Sequence, residues 1–217
     1  MLLLNEREKI VEFGKKLIRA NLTKGTGGNL SIYNREKELI VITPSGKAYE
    51  MLEPKDILVL NIKGEIIDGE GIPSSEFQLH RIFYENRQDI NAMVHSHSPY
   101  ATTIACLNWS LPAIHYMVAL AGVDVRCAKY ATYGTKELAL NAYEAMVDRK
   151  AVLLANHGLI AGDINIEKAF EIAEEIEYCS ELYYRAKAIG DPIILSREEM
   201  VKMVDRFRNY SQVNNVY

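Results

Sequence analysis

The chain has 217 residues, 48% of them apolar and 25% charged, a composition that fits a folded globular protein and excludes a disordered one. Its net charge is −4 and it has no long Lys/Arg run, so it lacks the electrostatic footprint that nucleic-acid partners require. Three cysteines, Cys106, Cys127 and Cys179, are odd in number and far apart, the pattern of reduced thiols in a cytoplasmic protein.

The N-terminal run MLLLNEREKIVEF meets charge immediately after its leucines, too early for a signal-peptide core or a membrane span, so no membrane association is expected. Residues 6–22 place Ile10, Val11, Phe13, Leu17 and Ile18 on one side of a predicted helix. GTGGNLS, residues 25–31, leads into short strands near 29–33 and 39–43, the second of which runs into the turn TPSG. Residues 56–69, DILVLNIKGEIIDG, read as a hairpin turning at Lys63-Gly64. In SSEFQLHRIFYENR, Ser74 is the expected cap of a helix with Glu76 in its first turn, and His80 is expected to be a surface or packing residue.

A strand over 91–97 carries His95 and His97 and ends at Pro99. On an extended chain these two side chains project to the same side, roughly 6–7 Å apart at Cα. That placement suits two ligands of one ion, although the same pattern also describes a polar strand end. Predicted helices near 99–107 and 135–148 precede a strand at 151–155, which delivers His157 beside Gly158. A third imidazole would complete the three-ligand set of a catalytic zinc site. His115, next to Tyr116, receives no assignment. A long helix over 165–189, stopped by Gly190 and Pro192, and a last helix near 196–209 close the chain. Hairpins among helices predict an α/β fold with a mixed or antiparallel sheet and helices packed on it, in a single domain spanning 1–217.

Three turns offer hydroxyls and unobstructed backbone N–H groups, GTGGNLS, TPSG and PSSE, and together they could hold a phosphate without a lysine. None has the Walker spacing or the strand-GxGxxG-helix fingerprint. Glu76, one residue beyond Ser75, is either a helix cap or a base working beside a metal-polarised carbonyl.

Taken in order, GTGGNLS, ITPSG, PSSE, VHSHSPYAT, PAIHYM, YATYGT and NHGLI resemble the class II, zinc-dependent L-fuculose-1-phosphate aldolases over essentially the whole chain. The resemblance implies a three-layer domain with a central, largely antiparallel sheet flanked by helices, assembled as a homotetramer with active sites between subunits. It implies one zinc per subunit on His95, His97 and His157 with Glu76 alongside, and Glu76 as the acid/base carboxylate. Gly28, Asn29, Ser45, Gly46, Ser74 and Ser75 fall on the phosphate site. Tyr116 would act from the neighbouring subunit on the sugar hydroxyl, and Tyr133 and Tyr210 would approach the aldehyde. Serine at 45 replaces a familiar threonine, and Tyr133 a familiar phenylalanine that bears on aldehyde preference.

The implied activity is reversible retro-aldol cleavage of a ketose 1-phosphate to dihydroxyacetone phosphate and a small aldehyde, zinc stabilising the enediolate. L-Fuculose 1-phosphate, yielding L-lactaldehyde, is the first candidate substrate, with 5-deoxyribulose and ribulose 1-phosphates open beside it. The wider family also holds ribulose-phosphate 4-epimerases, methylthioribulose-1-phosphate dehydratases and adducin-like interaction modules. The epimerases' additional aspartate has no counterpart near PAIHYM, and the retained histidines and Glu76 count against a purely binding role.

Overall fold

The computed structural model describes residues 1–213, with side chains through Asn209. Eight strands form one sheet: β1 (Asn29–Asn34), β2 (Leu39–Ile42), β3 (Leu58–Asn61), β4 (Ile66–Asp68), β5 (Ala92–Ser96), β6 (Cys127–Ala128), β7 (Ala151–Leu154) and β8 (Gly158–Asp163). Their spatial order is β4-β3-β2-β1-β5-β8-β7-β6, and only the β6–β7 pair is parallel. Among the described residues six α-helices accompany it: α1 (Leu4–Arg19), α2 (Phe77–Asn86), α3 (Pro99–Cys106), α4 (Lys136–Ala145), α5 (Ile166–Ile189) and α6 (Arg197–Val213). No helix among the described residues is long and apolar enough to cross a membrane.

The sheet is apolar on both faces because both are covered, so its strands read as nearly continuous hydrophobic runs. Val41, Val59, Val94, Leu153 and Leu159 pack with residues of α1, α3 and α5. The alternate positions Ile40, Ile42, Leu58, Met93, Val152 and Ile160 pack with residues of α2 and α4. This period of two yields two cores and the expected three-layer α/β domain.

One local expectation is corrected and another is narrowed. Ser74 does not cap α2, which begins at Phe77 with Glu76 at the capping position. The cause is a prior commitment of the backbone: Ser74 N–H donates to the Thr43 carbonyl, and Pro44 bridges Pro73, stitching PSSE to TPSG before a helix can start. Of the two roles open to His80 the surface one falls, because the side chain is fully buried, packed within a polar network.

Candidate metal centre

His95 leaves the end of β5 on its α2 face, since Val94 belongs to the opposite core. His157 sits in the short turn joining β7 to β8, where Leu154 pairs with Gly158. Asn156 makes that turn tight by adopting φ 54°, a left-handed conformation that asparagine tolerates better than most residues. Gly158 is packed so closely on β5 that a Cβ there would overlap the Ser96 carbonyl oxygen and press on the His97 ring. Gly28 has φ 72°, and a Cβ on it would lie 2.5 Å from the His95 carbonyl oxygen. Both glycines permit backbone approaches that draw the first turn, β5 and the β7–β8 turn around one point.

At that point three imidazoles converge through the same atom. His95 Nε2 is 3.1 Å from His97 Nε2 and 3.2 Å from His157 Nε2. Glu76 joins them, with Oε2 3.1 Å from His95 Nε2 and Oε1 3.4 Å from His157 Nε2. The His95 Nδ1–H donates to the Leu159 carbonyl at 2.9 Å, which leaves its Nε2 lone pair facing inward.

Ligand atoms of the four residues all lie within 4.8 Å of one another. Glu76 Oε1 is buried without a hydrogen-bond partner. Inward lone pairs and an orphaned carboxylate oxygen call for a cation, and a set of imidazoles plus one carboxylate fits zinc.

Charge is distributed accordingly in the metal-free cluster. Burial alone would raise the Glu76 carboxyl, but His95, then His157 and the Asn29 amide, outweigh it and hold the group far below the usual range. Burial also works against protonating His95, yet the Glu76 carboxylate prevails and raises it. His97 and His157 are pushed down to about 4, by burial first and by neighbouring imidazoles second. Burial takes His80 to about 3.

A pH dependence follows for the chelated protein. His80, His97 and His157 are neutral when folded but take protons near pH 6.5 when unfolded, so their contribution is present above about 6.5 and lost as pH falls towards 4 and below. His95 acts in the opposite sense, and so do the carboxyls of Glu174, Glu175 and Glu177, which burial raises. The urea midpoint of metal-free H97A is therefore expected to fall less between pH 7.5 and pH 5 than that of metal-free wild type; an equal or larger fall would contradict a neutral His97 in the folded state.

Beside the cluster opens a cavity of about 370 Å³ that takes in Glu76, His97 and His157. The three turns expected to hold a phosphate meet there: Gly28 and Asn29 from the first, Ser45 and Gly46 from the second, Ser74 and Ser75 from the third. Asn29 is only 4% exposed, and its amide nitrogen donates to Glu76 Oε2, leaving one N–H for a ligand. Tyr133 lines the same cavity.

Tyr116 does not line the cavity in its own chain. It stands 48% exposed on a short helical turn, its ring beside those of His115 and Phe207. The Tyr210 side chain lies outside the described residues. Sequence reasoning missed Tyr130, which also lines the cavity and shares the motif YATYGT with Tyr133. It also missed the chemistry of Ser31, His80 and Tyr84. Their signal is the spacing Glu76, His80, Tyr84 on a helix opposite Asn29, Ser31 on a strand.

Residues 8–184 match the model of the class II aldolase and adducin N-terminal domain family. The 5-deoxy-D-ribulose 1-phosphate aldolase of Bacillus thuringiensis serovar kurstaki is 57% identical over 98% of this chain and 100% of its own length. The L-fuculose phosphate aldolase of Escherichia coli K12 is 41% identical, covering 93% of this chain and 94% of its own. A solved structure titled L-fuculose 1-phosphate aldolase superposes with TM-score 0.92 at 52% identity, over 94% of this chain and 96% of that one. The chain belongs to the class II aldolase and adducin N-terminal domain family.

Proposed function

We propose that this chain is a zinc-dependent aldehyde-lyase that reversibly cleaves a ketose 1-phosphate to dihydroxyacetone phosphate and a small aldehyde. The observation that carries the reading is the buried Glu76 Oε1, which no hydrogen bond satisfies, facing three converging imidazoles at the edge of a lysine-free, hydroxyl-rich cavity. His95, His97, His157 and Glu76 would hold the metal, one per subunit. The bound cation supplies positive charge against which oxygens of a sugar carbonyl and adjoining hydroxyl become acidic and electron-accepting.

The chain's own residues do the rest. The turns carrying Asn29, Ser45, Gly46, Ser74 and Ser75 anchor the phosphate and so fix C3 of the sugar relative to Glu76. Tyr116, from a neighbouring subunit of a homotetramer and acting as phenolate, takes the C4 hydroxyl proton as C4 becomes the aldehyde carbonyl; the C3–C4 electron pair stays with C3, Glu76, protonated from solvent once substrate is bound, delivers its proton there from Oε1, and proton exchange with solvent resets both groups. The condensation direction reverses each transfer. Tyr133 faces the departing aldehyde, an end of the sugar to which the resemblance also assigns Tyr210. Free Cys106, Cys127 and Cys179 support a reducing, cytoplasmic setting.

5-Deoxyribulose 1-phosphate is the favoured substrate, because the relative named for it matches at 57% along nearly the whole chain. L-Fuculose 1-phosphate is the second reading, supported by the 41% relative and the 52% structural neighbour. Both carry a terminal methyl group, and small differences in an aldehyde pocket discriminate by only about 1–3 kcal/mol. Zinc-loaded protein is expected to release dihydroxyacetone phosphate from both sugars, with the higher kcat/KM for 5-deoxyribulose 1-phosphate. Epimerisation or dehydration of other pentulose phosphates, with neither of these two cleaved, would contradict the assignment.

A further inference from the structure

Behind Glu76 and Asn29 run three polar side chains, Ser31, His80 and Tyr84, that neither the imidazole cluster nor the cavity consumes. Glu76, His80 and Tyr84 recur every fourth residue, so they fall on one side of α2 and its entry turn. Asn29 and Ser31 alternate on β1, whose intervening Leu30 belongs to the opposite core. All five are buried, none more than 5% exposed. The Asn29 amide N–H donates to Glu76 Oε2 at 2.9 Å, and Asn29 Oδ1 meets His80 Nε2. His80 Nδ1 meets Ser31 Oγ at 2.6 Å, and Ser31 Oγ meets the Tyr84 hydroxyl.

One end of this chain fixes the direction of every bond in it. An amide oxygen only accepts, so His80 Nε2–H must donate to Asn29. The neutral imidazole then accepts at Nδ1 from the Ser31 hydroxyl, which in turn accepts from the Tyr84 O–H. Every hydrogen points towards Glu76, and successive polarisation strengthens the last bond, to Oε2. Without the His80 donor, Asn29 Oδ1 is left buried without a partner, and the amide loses the bond that holds its N–H on Glu76 Oε2. Packing alone gives no reason for this arrangement, since an apolar side chain on α2 would fill the space without four buried polar groups to satisfy.

We propose that His80 is a positioning residue: acting through Asn29, it pins Glu76 by Oε2 and leaves Oε1 as the one oxygen that moves a proton at the substrate carbon. The proposal rests on the reading of Glu76 as the acid/base carboxylate. His80 itself touches neither substrate nor metal.

The test compares zinc-loaded wild type, H80L, H80Q, E76Q and the H80L/E76Q double variant. Zinc content, kcat and KM for ketose 1-phosphate are measured, with the exchange of the dihydroxyacetone phosphate C–H proton for solvent deuterium. H80L is expected to hold one zinc with KM within about threefold of wild type, while kcat and exchange fall about 10–100-fold, the usual cost of losing an orienting partner. H80Q, which keeps a donor for Asn29, should recover most of that loss, and H80L should cost nothing further in the E76Q background.

Wild-type exchange in H80L, a loss that adds to that of E76Q, or zinc content falling in proportion to activity would each overturn the proposal. If E76Q itself exchanges normally, the acid/base assignment fails and the positioning role with it. If E76Q is inactive but H80L is normal, only the positioning role fails. Should H80L not fold, S31A releases the imidazole tautomer with little loss of volume and is expected to lower kcat while leaving KM and zinc unchanged; unchanged kcat would overturn the proposal.

Discussion

Replacing His97 with alanine is expected to give a folded protein that loses zinc on dialysis and cleaves ketose 1-phosphate at least about 10³-fold more slowly. His97 is only half-buried, so its removal opens towards the cavity and leaves no sealed void. Its Nε2 nevertheless sits 3.1 Å from that of His95, and its loss leaves two imidazoles and Glu76, so a third protein ligand is available only by tying up the carboxylate that moves the proton. Losing an orienting partner of a metal ligand already costs about 10–100-fold, and losing a ligand costs more. The catalytic loss is larger again, because a single neutral donor removed from a developing oxyanion costs about 10²–10³-fold and here the dication itself is gone. The checks are zinc stoichiometry after dialysis and the rate of dihydroxyacetone phosphate release. Full zinc retention with turnover near wild type would remove His97 from the centre.

Glu76→Gln separates metal binding from proton transfer. The amide keeps the shape of the side chain, and His95, His97 and His157 remain, so zinc should stay bound. What is lost is the group that accepts and returns the proton at C3, a contribution of about 10²–10⁴-fold. Exchange of the dihydroxyacetone phosphate C–H proton with solvent isolates this step from aldehyde release. It is expected to fall by that factor in the zinc-loaded variant; near-wild-type exchange would show that another group moves the proton.

Much of the site was legible because short-range geometry decides it. His95 and His97 share a side through the two-residue period of a strand, and the apolar strand predicted at 151–155 delivers His157 at its end. The three anion-holding turns were each ambiguous alone. Their convergence depends on tertiary pairings, such as the Pro44–Pro73 bridge, that no local pattern announces. That same bridge explains the misread start of α2: the Ser-Ser-Glu sequence has the chemistry of a cap, but its backbone is already committed to the neighbouring turn.

His80 shows the other kind of limit. A histidine in an amphipathic helix has no local feature separating a packing role from a hydrogen-bonded one. Only β1, folded against α2, supplies the Asn29 and Ser31 partners that distinguish them. Tyr116 marks a further limit, since the role implied for it by family resemblance requires a second copy of the chain. Strand β6, two residues long and parallel to β7, carried too little pattern to be read.

The central claim is that the four-residue cluster is a catalytic metal centre, and the most direct measurement is turnover against zinc occupancy. Protein stripped with a chelator is titrated with zinc while the release of dihydroxyacetone phosphate is followed. The account predicts no activity without metal and a linear rise that saturates at one zinc per chain. Full activity in the stripped protein, or saturating zinc that leaves turnover unchanged, would contradict it.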